Sequence, residues 1–365
     1  MNRDAFSARL AAIRPADAAA MDAARRRQAQ LAKPPGSLGK LEDISVQLAG
    51  ITGHIDNEIE KTRIYVLAAD NGVVAEGVSS APQSVTRQQA INLTRGVTGA
   101  SAIARHFGDE LVVVDVGIAE DYTCPQIVNR RIARGTNNIA REPAMTVQQA
   151  LTALDTGMTL AAQAKRDGVT ALGVGEMGIG NTTTSAAVLM ALTGCASEDA
   201  VGRGGGVTDE AFARKRAVVA GALANLRPDA NDAVDVLAKV GGFDLAAMAG
   251  VFLGAAESRL PVVIDGFISV VAALCAVRLC PAARDFLFSS HGSYERGYAV
   301  AARALSLTPV LALEMRLGEG SGCPLGFRVL EAACAAMNGM ATFEDARIDD
   351  GYLAPIRKKD CFRNR

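Results

Sequence analysis

Short apolar runs that each stop at a glycine-rich or polar loop, with helix-patterned stretches between them, constrain this chain more than any other feature. The runs occupy residues 64–69, 111–116, 171–174, 262–264, 286–288 and 310–313. The first ends in Asp70-Asn71-Gly72, the second in Gly117 and the third in Gly175-Glu176-Met177-Gly178. The fourth ends in Asp265-Gly266, the fifth in Ser289-Ser290-His291-Gly292, and the sixth leads towards Leu317-Gly318-Glu319-Gly320. Helical patterning covers residues 83–107, 147–165, 182–192, 209–225 and 244–257. Thr146 is placed to cap the second of these, and the last is apolar nearly all round, as in a buried helix. Strands that alternate with helices build βαβ units, so the expected class is α/β with a mostly parallel sheet. In such sheets ligands lie outside the carboxyl ends of the strands, so these loops are expected to converge on one crevice.

The two ends read differently. Residues 1–30 form an Ala/Arg-rich amphipathic pattern and residues 327–340 another apolar-faced one. They are expected to pair into a small helical domain of residues 1–30 plus 325–365, leaving 31–324 as a large α/β domain. The charged tail from Lys358 is expected to fray.

Charge and composition narrow the function. Lys+Arg 38 against Asp+Glu 39 gives a net charge of −1, without the basic excess of a nucleic-acid or acidic-membrane binder. With Trp 0 and 4% aromatic residues there are few platforms for stacking single-stranded bases. The longest apolar run, residues 266–277, is closed by Arg278 and falls short of the ~18 residues that suggest a membrane span. Asp4 and Arg9 interrupt the N-terminus where a signal peptide needs an apolar stretch. The seven cysteines include no CxxC pair and read as free thiols of a reducing, cytoplasmic compartment. The three histidines, His54, His106 and His291, are not paired at i, i+4, so neither a metal site nor a cofactor is expected. Small molecules are the expected partners.

Three loops can hold chemistry. Gly175, Gly178 and Gly180 let backbone N–H groups approach an anion, and Thr182 or Thr183 can cap the helix that follows. The alternative is a tight β–α turn; the loop matches neither the dinucleotide fingerprint nor the P-loop. In Gly202-Arg203-Gly204-Gly205-Gly206, Arg203 can clamp a phosphate or carboxylate, with Arg214 and Lys215 adding charge, or the loop is a solvated linker. In Leu317-Gly318-Glu319-Gly320-Ser321-Gly322, glycine neighbours leave Glu319 nothing to pack on. It reads either as a general base at a crevice mouth or as a solvent-facing side chain, with the Gly320 and Ser321 amides available to phosphate. Gln88 and Gln89, on the helix after the first loop, can fix a flat heterocycle or are simply exposed helix side chains. Ser290 beside His291 lacks a G-x-S-x-G context, which argues against a serine hydrolase.

Five blocks together carry a family resemblance. They are Lys33-Pro34-Pro35-Gly36-Ser37-Leu38-Gly39, Ala69-Asp70-Asn71-Gly72-Val73, the stretch from Gly175 through Asn181 to Thr183, Val240-Gly241-Gly242-Phe243-Asp244, and the stretch from Arg316 to Gly322. In this order the sequence resembles the nicotinate-nucleotide:dimethylbenzimidazole phosphoribosyltransferases of cobalamin (vitamin B12) biosynthesis. The resemblance implies a Rossmann-like sheet plus a small helical domain built from both chain ends, in a homodimer. It also implies transfer of the phosphoribosyl group of nicotinate mononucleotide to 5,6-dimethylbenzimidazole. The products are α-ribazole 5′-phosphate and nicotinate, with inversion at the ribose C1′.

The resemblance further implies that Glu319 is the general base and Glu176 a second carboxylate near the ribose. Phosphate contacts map onto Gly178, Gly204, Lys215, Ser290, His291 and Gly292. The base is held near Gln88 or Gln89; a one-residue shift fits either. Met177, Gly180, Asn181, Gly202, Arg203, Leu317, Gly318, Gly320 and Ser321 complete the implied substrate set. Gly205 replaces a usual Thr, and Ala81 sits where some members carry Ser, departures that bear on base preference. Other acceptors (another benzimidazole, a purine or a phenol), a nucleotide N-glycosidase and a silent nucleotide sensor are the competing readings.

Overall fold

A computed structural model of the chain describes residues 1–357. The tail from Lys358 and Cys361 lie outside the described residues. In order, the chain forms α1 (Arg3–Ala12), α2 (Ala18–Gln30), α3 (Lys40–Thr52), β1 (Thr62–Ala69), α4 (Ser84–Thr94), α5 (Gly99–Phe107), β2 (Glu110–Gly117) and β3 (Val128–Asn129). There follow α6 (Val147–Arg166), β4 (Ala171–Met177), α7 (Asn181–Thr193), α8 (Ser197–Ala200), α9 (Asp209–Leu226), α10 (Ala233–Val240) and α11 (Phe243–Glu257). The remainder is β5 (Val262–Ile264), α12 (Phe267–Leu279), β6 (Leu287–Ser289), α13 (Gly297–Ala304), α14 (Cys323–Gly339) and α15 (Ala354–Arg357).

Among the described residues the strands form one sheet in the order β3-β2-β1-β4-β5-β6, and every pairing is parallel. This is the expected α/β class. Strand β1 is buried along its whole length, as a strand covered on both faces must be. From β1 the chain builds outward through β2 and β3, then returns to lay β4 on the other side of β1. The reversal places a topological switch point between β1 and β4, where parallel sheets open a crevice. Helix α11 packs on β1, β2 and β4 and, most extensively, on α6. That last contact is backbone against backbone. A Cβ at Gly157 would overlap the carbonyl of Ala247, one at Gly250 the carbonyl of Leu154, and one at Gly254 would lie 2.6 Å from the Met158 Cα.

Several expectations are corrected. Residues 83–107 are two helices, because Gly96 turns at φ 73° and Thr98 opens α5 with a reciprocal capping box to Ser101. Residues 310–313 are not a strand; they make one isolated bridge, Leu311 to His291. Residues 1–30 break into two helices around Pro15, with the Asp17 side chain capping the second.

The chain divides into two units: residues 1–14 with 61–326, and residues 15–60 with those from 327 onward. The boundaries therefore differ from those expected. Helix α1 belongs to the larger unit, where Phe6 is buried and Arg9 pairs with Asp155 and Glu257. Residues 31–60 belong to the smaller one, where α3 packs on α2. The smaller unit is closed by an apolar cluster of Ala24, Val46, Ala49 and Met337 and by an antiparallel bridge between Leu31 and Thr342. Cys124, Cys195, Cys275, Cys280, Cys323 and Cys334 are free thiols. Among the described residues, no helix is long and apolar enough to cross a membrane, and no group of three or more His, Cys, Asp or Glu could hold a metal ion.

Candidate active site

The ends of β1, β4, β5 and β6 open onto one cavity of about 300 Å³ in the larger unit. One wall, from the loop after β1 and the start of α4, sets the apolar Val78, Ala81 and Val85 beside Ser79, Ser80 and Gln89. The next is the β4–α7 loop from Glu176 to Thr182, joined by Asp265 to Ser269 from the end of β5 and by His291. Arg316, Leu317, Gly318 and Glu319 close the last side.

Buried acids dominate the floor. Glu319 is only 5% exposed, not solvent-facing. Its Oε1 accepts a 2.8 Å hydrogen bond from Gln89 Nε2, while its buried Oε2 has no partner among the described residues. Glu176 is the penultimate residue of β4, where Leu67 of β1 is its neighbour in register. The Asn181 amide, at the first residue of α7, donates to Glu176 Oε2 and, at 3.0 Å, to Asp244 Oδ2. Burial pushes the Glu176 carboxyl up to about 8, with Asp244, Asp265 and Glu319 adding repulsion and the Asn181 hydrogen bond opposing. Burial likewise raises Asp265 to about 7 and Asp244 to about 6. Burial thus favours the protonated form of Glu176, in which the carboxyl can donate a hydrogen bond.

A cation lies behind the glycine loop. Lys215, on α9, is 1% exposed, and its Nζ donates to Thr182 Oγ1 at 2.8 Å. A Cβ at Gly204 would lie 3.5 Å from that Nζ, so the loop passes directly over the ammonium group. Burial lowers the Lys215 pKa to about 8, opposed by Glu295. Such a cation gains from an incoming anion, and the positive end of the α7 dipole lies beside it, where the Asn181 and Thr183 amides donate to Gly178 O and Gly180 O.

Not every anticipated residue reaches the cavity. Gln88 is exposed and Gln89 lines it, because Thr86, Ala90 and Leu93 form the buried stripe of α4 and Gln89 flanks that stripe. Arg203 does line the cavity, half-exposed at its rim. Its guanidinium donates to Val207 O at 2.8 Å and Asp209 Oδ1 at 2.5 Å and lies over the Phe212 ring, so these donors are engaged within its own segment. Gly202 packs on the Glu295 carboxylate and lines a neighbouring cavity.

Ser290 is fully buried and does not line the cavity; its hydroxyl donates to Ile264 O at 2.7 Å and meets His291 Nδ1 at 3.1 Å. Burial lowers the His291 pKa, favouring the neutral ring. Gly292 N donates to Leu311 O, and the buried Ser321 hydroxyl has no partner among the described residues. Met177, Gly178, Gly180, Asn181, Gly204, Leu317 and Gly318 do line the cavity; Gly320 sits behind Glu319. Asp244 and Asp265 carry much of the geometry and were not singled out from sequence, although each follows directly on a recognisable signal: Asp244 closes the block from Val240, and Asp265 ends the β5 run.

Fold and site together define an α/β enzyme whose switch-point crevice sets buried carboxylates against a buried lysine beneath a glycine loop. A family model described as Phosphoribosyltransferase (DBI_PRT) matches residues 13–348. The nicotinate-nucleotide–dimethylbenzimidazole phosphoribosyltransferase of Clostridium perfringens is 51% identical over 339 residues, covering 93% of this chain and 94% of that one. The enzyme of the same name from Acetivibrio thermocellus is 50% identical over 329 residues, covering 90% and 94%. The crystal structure of CobT from Thermus thermophilus superposes with a TM-score of 0.88 at 42% identity, covering 91% of this chain and all of that one. The chain belongs to the nicotinate-nucleotide–dimethylbenzimidazole phosphoribosyltransferase family.

Proposed function

We propose that this enzyme transfers the phosphoribosyl group of nicotinate mononucleotide to 5,6-dimethylbenzimidazole, with Glu319 as general base and inversion at C1′. The observation that carries the reading is the Glu319 carboxylate, held at one oxygen by Gln89 and left unpartnered at the other inside the cavity. The flat, apolar acceptor fits the wall of Val78, Ala81 and Val85. One imidazole nitrogen attacks C1′ as the bond to the pyridinium nitrogen breaks. That electron pair neutralises the ring, so nicotinate leaves without needing a proton. The proton on the acceptor's other nitrogen passes to Glu319 Oε2, which avoids a positive charge on the product. Neutral Glu176 donates to a ribose oxygen and spares the site a second negative charge beside Glu319. Lys215, Gly178 and Gly204 receive the phosphate.

We take the enzyme to be cytoplasmic, from its scattered cysteines without a CxxC pair, and a homodimer, as the family resemblance implies. Chromatography of protein incubated with nicotinate mononucleotide, with and without the acceptor, tests it. Base-dependent nicotinate release with a new α-ribazole phosphate peak is expected. Base-independent release would replace transfer with hydrolysis, and release supported only by a purine or phenol would reassign the acceptor.

A further inference from the structure

We infer that Asp265 is a positioning residue for Glu319, gripping the backbone that carries the base. This rests on the reading of Glu319 given above. Asp265 directly follows β5 and is 2% exposed. Its Oδ2 accepts from Gly320 N at 3.0 Å and its Oδ1 from Gly322 N at 2.7 Å. The Gly320 amide belongs to the peptide plane that sets the ψ angle of Glu319. The bond therefore fixes the direction in which the Glu319 side chain leaves the chain.

That fixing has something to oppose. Glu319 sits at φ 62°, a left-handed conformation that is unfavourable for a non-glycine residue. Gly318 and Gly320 turn with it at φ 79° and 80°. Gly175, on β4, has no side chain where the Gly320 amide comes in, so the strained turn can sit against the sheet within reach of Asp265. Gln89 holds the tip of the Glu319 side chain and Asp265 holds its root. The bond to Gly322 N would also serve a helix start, since α14 begins at Cys323; the bond to Gly320 N has no such use.

Asp265→Asn keeps the shape but turns an amide group towards one of the two N–H donors. The test compares Asp265→Asn, Glu319→Gln and the double variant by kcat and by KM for nicotinate mononucleotide. Asp265→Asn is expected to lower kcat on the order of ten- to hundredfold with KM unchanged, and to have no further effect in the Glu319→Gln background. Wild-type turnover by Glu319→Gln would overturn the base reading and this proposal with it. Slow Glu319→Gln with normal Asp265→Asn, a loss repeated in full in the double variant, or a change in KM alone would overturn the proposal and leave the base reading standing. Should Asp265→Asn fail to fold, amide hydrogen exchange in the unaltered protein decides. The Gly320 and Gly322 amides are expected to be protected, and exchange as fast as at exposed Leu317 would refute the grip.

Discussion

Glu176 and Lys215 are buried ionisable groups whose burial works against their charged forms, and pH separates what each contributes. Glu176 has a pKa of about 8 in the fold against 4.5 ordinarily, so between these values the folded chain holds a proton that the unfolded chain has lost. The associated stability is complete below pH 4.5 and lost as pH rises through 8. Glu176→Gln cannot ionise, so its melting temperature is expected to gain on that of the parent from pH 5 to pH 9; a gap constant across that range would refute the protonated assignment. For Lys215 the folded value of about 8 lies below 10.5, so carrying the charge costs stability at neutral pH and the cost is relieved as pH rises through that interval. Lys215→Met is expected to melt higher at pH 7 without ligand, and to bind nicotinate mononucleotide about tenfold or more weakly. Calorimetric titration beside a thermal melt checks both; unchanged affinity would remove Lys215 from the phosphate site. The glycine punctuation made Glu319 and Glu176 visible in the sequence, but spacing could not show that Asp244 shares an amide with Glu176 or that Asp265 reaches across to Gly320. Those contacts join residues 55 or more positions apart.

Elements were legible where a local rule decided them. Thr146 caps α6 with a reciprocal bond to Gln149, and β1 and β5 end where their apolar runs end. They were not legible where a neighbour decided. Residues 310–313 have strand composition but only one bridging partner, and Gln88 and Gln89 differ only in their phase on α4. The fit of α6 on α11 was also hidden, since glycine in a helix reads only as weak propensity. Gly250→Ala gains about 1 kcal/mol of intrinsic propensity yet drives a methyl group into the Leu154 carbonyl. The expected net effect is destabilisation of about 1–3 kcal/mol in chemical denaturation, and a variant as stable as its parent would refute the contact.

At the scale of the molecule, strand order does most of the positioning. Because β1 and β4 adjoin while their following loops diverge, the ends of β4, β5 and β6 bring Glu176, Asp265 and His291 to the cavity that Gln89 of α4 also lines. The proposed donor is a monophosphate, whose charge the buried Lys215 would balance. Turnover is therefore expected to survive exhaustive dialysis against a chelator; loss of activity restored by one divalent ion would overturn that. The glycines between α6 and α11 carry a different consequence. A survey of every single substitution would mark Gly157, Gly250 and Gly254 as intolerant alongside Glu319, although none of them lines the cavity. Intolerance alone would thus draw a false second active site through the middle of the helical layer, and only turnover per folded molecule, set beside the yield of folded molecules, would erase it.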